Sequence, residues 1–273
     1  MPESEMPQQA WYRRLIFIFI FIATNILAFI TLPLLVTPQT QVIRNSTGNS
    51  LLLPIYYIVS IVAFTAFFIY LSRKRKIGIL KGLVAILLGY SVFVLLLLDL
   101  SFLYFLVDLI ISAVAAFLLI YYSFRRARSA IYLLGIIMGA GVSAVLASII
   151  SIEITIVIIA VFSIYDSLSV NISKSMIEVA ETALDSGLPL LFTAGDKENP
   201  IAMGFGDTVL PTFALISIYL TFNLEAFLIS LIVTLVSFGP MMYFASKRPQ
   251  PGLPYLINAV FIGLVIYLLI GHI

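Results

Sequence analysis

The feature that most constrains this chain is a series of nine apolar stretches, each about as long as the roughly 20 residues a helix needs to cross a bilayer core of about 30 Å. They cover 15–36, 51–71, 80–98, 102–122, 130–149, 152–170, 201–222, 224–244 and 254–270. Of the 273 residues, 62% are hydrophobic and 10% charged, a balance that would leave a water-soluble domain with large exposed apolar patches. Where no water is available, a helix satisfies its own backbone. The expected fold is therefore all-α and polytopic, with nine transmembrane helices.

The charges set the expected orientation. If nine spans are drawn, every lysine and arginine except Arg44 falls on the N-terminal side, including the cluster Arg73 to Lys76. Cationic loops are retained in the cytoplasm, so the N-terminus is expected to be cytoplasmic and the C-terminus external. No cleavable export signal is expected, because the run after Arg14 is too long for one and lacks a clear small-residue cleavage site. Cysteine is absent and His272 is the single histidine, so disulfides and thiolate metal sites are excluded and neither a metal nor another cofactor is expected. The net charge of +2 is accounted for by the cytoplasmic loops and gives no reason to invoke nucleic acid. The lipid bilayer is the expected surrounding, and homo-oligomers are compatible with the sequence.

Ionisable groups inside the spans are informative, because a charge at bilayer depth is costly unless it faces protein or water. Asp99, Glu153 and Glu225 lie near expected span ends, within reach of interfacial water. Asp108 lies about two turns inside the fourth span, where it pairs within the bundle or lines a polar cavity. Asp166 and Asp207 differ. Asp166 precedes the cytoplasmic end of the sixth span by about four residues, roughly 6 Å, and Asp207 follows the start of the seventh by about six, roughly 9 Å. The two carboxyls are thus expected at similar depth. Neither span carries a basic residue, so each acid is the natural partner of the other.

Two carboxyls sharing a site cannot both ionise easily, which leaves one protonated and one charged. The charged member can take a proton from water while the protonated member polarises a peptide carbonyl, the division of labour of aspartic proteases. Local sequence adds an irregular backbone: Gly204, Phe205 and Gly206 precede Asp207, and Pro211 lacks the amide that would bond the Asp207 carbonyl. The alternative is a proton- or cation-coupled transporter using the same aspartates. Against it, the acids lie toward one surface and no internal repeat relates the two halves.

Tyr165-Asp166 in one span, Gly204-Phe205-Gly206-Asp207 in the next and Pro251-Gly252-Leu253 before the last resemble the YD, GxGD and PAL motifs of the presenilin and signal peptide peptidase family, in the same order within nine spans. Glycine stands at Gly252 where that pattern has alanine. A prepilin-type peptidase also carries GxGD but has lysine where Val209 stands. The resemblance implies an intramembrane aspartyl protease, compact like the family's microbial members, with Asp166 and Asp207 as the catalytic pair. It further implies that Tyr165, Gly204, Phe205, Gly206, Pro211, Pro251, Gly252 and Leu253 shape the site. Cytoplasmic N-termini mark the presenilin branch, whose substrates would be single-span helices with an external N-terminus.

The chain is expected to divide into a six-helix part (1–170), a cytoplasmic linker (171–200) and a three-helix part (201–273). In the linker, Ser173 is the expected N-cap of a short helix, Lys174 and Glu178 are spaced to pair, and Gly187 is placed to end it. The apolar residues that follow are expected to be extended. By resemblance, Leu188, Pro189, Leu190 and Leu191 bind substrate by adding a strand to an unwound helix. Gly135, Gly139 and Gly141 are expected to let helices pack closely.

Overall fold

The computed structural model describes residues 6–47, 52–74, 76–99, 104–172, 174–195, 201–245 and 250–271. In chain order its elements are α1 (Met6–Leu35), α2 (Pro38–Thr47), α3 (Leu52–Arg73), α4 (Ile77–Asp99), α5 (Phe105–Phe124), α6 (Arg128–Ile149) and α7 (Ile152–Asn171). They continue with α8 (Ser175–Ser186), β1 (Leu191–Ala194), β2 (Ile201–Gly204), α9 (Gly206–Thr221), α10 (Leu224–Ala245) and α11 (Gly252–Ile270). Among the described residues, seven helices are long and apolar enough to cross a membrane: α1, α4, α5, α6, α7, α10 and α11. The other two expected stretches correspond to α3 and to α9, which is apolar but only 16 residues long.

Three boundaries depart from expectation. Residues 201–204, expected to open the seventh span, form a strand, so the fold is helical with one antiparallel hairpin, Leu191 pairing with Gly204 and Ala194 with Ile201. A short apolar run has no periodicity to separate strand from buried helix, and here pairing with β1 decides. Helix α2 was not expected. Its start is nonetheless encoded: Thr37 and Thr40 exchange side-chain to backbone hydrogen bonds of 2.9 and 3.3 Å, and Pro38 occupies the first helical position, where its missing N–H costs nothing. Finally, α11 begins at Gly252, two residues before the expected start at 254, with Pro254 in its first turn, where amides have no helical partner anyway. Gly187 ends α8 in a left-handed conformation (φ 71°), as expected of a glycine there. Ser173 and His272 lie outside the described residues.

Helix α9 is the centre of the bundle. It is buried without interruption from Pro211 to Ile218 and packs against α1, α6, α7, α10 and α11. The glycines of α6 supply the expected close approaches. A Cβ on Gly139 would stand 2.9 Å from Thr24 Cγ2 of α1 and 3.3 Å from Thr208 Oγ1 of α9, and one on Gly141 would run into Leu95 of α4. Around this centre polarity is inverted relative to a soluble protein. On α5, Phe105, Leu106, Ile110 and Phe117 are exposed, while Asp108, Ser112, Ala116 and Ser123 are buried. Lipid is the solvent for the first group and protein for the second. Asp108 lies in the first turn of α5, not two turns in, because the helix begins at Phe105.

Arg44 of α2 binds the two central helices at the end remote from Asp207. Its guanidinium donates to the Ile150 carbonyl (3.3 Å), the Ser217 carbonyl (3.4 Å) and Thr221 Oγ1 (2.7 Å), at the C-terminal ends of α6 and α9 where carbonyls lack helical donors. Burial lowers the pKa of this guanidinium, and the nearby Glu153 carboxylate opposes the shift.

Candidate active site

Three elements converge on the two aspartates. Asp166 is carried by α7, close to its C-terminal end, and is 7% exposed. Asp207 is the second residue of α9, at the positive end of the helix dipole, where a carboxylate is favoured. Its Oδ2 accepts a hydrogen bond of 3.2 Å from the Gly204 N–H, reaching back across the turn in the manner of a capping box. Both carboxyls lie against the same short segment at the start of α11, through Leu253 for Asp166 and Gly252 for Asp207. Asp207 is therefore less deep in its helix than the sequence suggested, yet it meets Asp166.

The Pro251-Gly252-Leu253 segment touches both acids. Pro251 is the buried N-cap of α11. The Leu253 N–H, one of the amides that a helix start leaves without an internal partner, donates to Asp166 Oδ2 at 3.2 Å. Gly252 lies against the other carboxyl: a Cβ there would be 3.0 Å from Asp207 Cγ and Oδ1 and 3.1 Å from Oδ2. The departure from the alanine of the PAL pattern thus has a local consequence, since the carboxyl occupies room that a methyl would need.

The glycines before Asp207 have different surroundings. A Cβ on Gly204 would make only an ordinary 3.6 Å contact with Asp207, and one on Gly206 would meet nothing within 4 Å. The surface in front of Gly206 is open. Phe205 between them is buried, with its ring centroid 4.6 Å from that of Phe192 and both rings over Gly135. Pro211 is buried in the second turn of α9, while Tyr165 is half-buried and, among the described residues, hydrogen bonds to neither carboxyl. Leu188 and Pro189 are buried, and Leu190 and Leu191 are half-buried.

The hairpin has one covered edge and one open edge. Phe205 N–H donates to the Leu190 carbonyl, and with the observed register this makes Phe192–Met203 and Ala194–Ile201 the hydrogen-bonded pairs. The backbone groups of Leu191 and Thr193 then point outward from β1, and those of Ala202 and Gly204 outward from β2. On β1 the Tyr132 hydroxyl of α6 bonds to the Thr193 carbonyl, Arg128 donates to the Gly195 carbonyl (2.7 Å), and α1, α6 and α8 pack alongside. On β2 the Gly204 N–H is taken by Asp207, and Ala202 is exposed. Tyr132 and Phe192 were passed over in the sequence. The aromatic at Phe192 facing a glycine on α6 has no sequence signal, because the two are brought together only by tertiary packing.

The family model described as "Signal-peptide peptidase, presenilin aspartyl protease" matches residues 18–273. The chain belongs to that family. It is an integral, multi-pass membrane protein and an aspartic endopeptidase of the presenilin kind. Its fold is similar to two solved structures of a presenilin family intramembrane aspartate protease. The one in space group C222 aligns with a TM-score of 0.67 at 20% identity, covering 94% of this chain and 97% of that one. The one in P2 aligns with a TM-score of 0.61 at 23% identity, covering 91% and 94%. No curated protein matches the sequence. The family match begins at residue 18, well ahead of the motif-bearing residues from which the resemblance was read.

Proposed function

We propose that this presenilin-family protease hydrolyses peptide bonds within transmembrane helices of other membrane proteins, with Asp166 and Asp207 as the catalytic pair. The observation that carries the reading is the segment starting α11, which donates to Asp166 and abuts Asp207, so that the two acids form one unit held by one turn. One carboxylate, as general base, takes a proton from a water between the pair while that water attacks the scissile carbonyl. The other, protonated, donates a hydrogen bond to the carbonyl oxygen as it gains charge. The proton then passes to the leaving amine. The base is thereby returned to its charged form and the other acid keeps its proton, so the pair is ready for the next cycle.

Substrate is presented as a strand. A helix hides its peptide bonds, so the segment to be cut must unwind, and an unwound segment in a membrane needs backbone partners. We place those partners on β2 at Ala202, instead of on Leu188 to Leu191. Supporting this, β1 is covered by Tyr132 and Arg128 while β2 leads directly to Asp207 and the open surface before Gly206. The nine-span arrangement with a cytoplasmic N-terminus follows from the basic residues, and it puts the site near the cytoplasmic face with single-span proteins of external N-terminus as substrates. Purified protein in lipid vesicles is expected to cut a single-span peptide, with product termini assigned by mass spectrometry. Ion flux through those vesicles without any cutting would favour the transporter reading and reject this one.

A further inference from the structure

Asp207 sits on a weakened turn. Pro211, four residues on, has no amide, so the Asp207 carbonyl lacks its helical donor and the first turns of α9 are one bond short. The hydrophobic effect is non-directional, whereas hydrogen bonds add a directional constraint on rotation about the helix axis. Where α9 packs against α1 and α6, polar side chains from those two helices grip this region. Ser143 of α6 donates to the Val209 carbonyl at 2.8 Å. Asn25 of α1 donates to Thr212 Oγ1 at 3.1 Å and to the carbonyl of Phe21 at 2.9 Å. Ser143 and Thr212 are 0% exposed and Asn25 is 2% exposed. Gly139 allows this approach by leaving room for Thr24 and Thr208 together.

Asn25 is only partly satisfied where it lies. The Asn25 Oδ1 is buried with no hydrogen-bond partner, a destabilising feature that a leucine would remove. We infer that Asn25 and Ser143 are positioning residues that set the rotation of α9 and thereby hold the Asp207 carboxyl in register with Asp166. The inference rests on the proposed role of Asp207. Side chains stand about 5 to 6 Å from a helix axis, so a rotation of about 10° carries the carboxyl through about 1 Å. A misplacement of that size costs up to about 100-fold in rate.

The test uses the purified full chain and a membrane-spanning peptide, with kcat, KM and melting temperature measured for Asn25→Leu, Thr212→Val, their combination and Ser143→Ala. Asn25→Leu and Thr212→Val are each expected to lower kcat about 10-fold, with KM within about twofold and melting temperature unchanged or raised. The double variant is expected to be no worse than either single one, since both remove the same bond. Ser143→Ala is expected to lower kcat through its separate bond. Unchanged kcat in Thr212→Val, which is nearly isosteric and keeps the fold, overturns the inference, as does a kcat loss that only follows falling melting temperature. Asp207→Ala run alongside separates the failures: if it still cuts, the proposed catalytic pair is wrong, whereas if it is dead and the positioning variants are fully active, only the present inference fails.

Discussion

Replacing Gly252 with alanine restores the residue of the PAL pattern, yet in this chain it is expected to reduce activity. The added methyl would lie 3.0 Å from Asp207 Cγ, where ordinary contact begins at 3.4 Å. The backbone at 252 is held by the start of α11, whose next amide bonds Asp166, so the Asp207 carboxyl is the part that yields. A retreat of a few tenths of an ångström lengthens the 3.2 Å bond from the Gly204 N–H and separates the carboxyls. If a 1 Å error costs up to about 100-fold, a few tenths cost about 3- to 10-fold in kcat, or about 0.7 to 1.4 kcal/mol. Because the nearest contacts of the methyl are all on Asp207, KM is expected to change by less than about twofold. Steady-state cleavage of a membrane-spanning peptide by wild-type and Gly252→Ala protein measures both constants. Equal or higher kcat in the variant would refute the argument that Gly252 makes room for Asp207.

Other expectations concern the hairpin and the remote end of α9. Ala202→Pro removes the outward N–H of β2 and is expected to raise KM about 5-fold, the equivalent of one hydrogen bond of about 1 kcal/mol, in the same cleavage assay. Gly135→Ala forces Phe192 and Phe205 apart from α6 and is expected to destabilise the protein by about 1–3 kcal/mol, read by denaturation in detergent micelles. Arg44→Ala strips the ends of α6 and α9 of a shared cationic donor and is expected to cost about 1–3 kcal/mol of stability, with an active site that still cuts at low temperature.

The membrane fold was legible because lipid imposes one demand, about 20 apolar residues per helix, that sequence displays directly. That Asp166 and Asp207 lie near one another was legible for a related reason: two acids without basic partners in neighbouring apolar stretches have few other places to go. Less could be read where apolar sequence serves two structures. Ile201 to Gly204 is apolar enough to extend a span, and only pairing with β1 makes it a strand. The Leu253 N–H bond to Asp166 joins residues 87 apart and depends on how α11 docks, which no motif states. Asn25 was visible as an amide within an apolar run, but attention to ionisable groups alone passes over it. Its partner, Thr212, is as ordinary in sequence as any buried threonine.

The central claim is that two aspartates act as one catalytic unit, and it is tested most directly by cleavage of a membrane-spanning peptide by Asp166→Ala, Asp207→Ala and the double variant, each shown to be folded by its melting curve. The expected result is that either single substitution abolishes cutting and the double one is no worse, as befits residues that work only together. Measurable cutting by either single variant would contradict it.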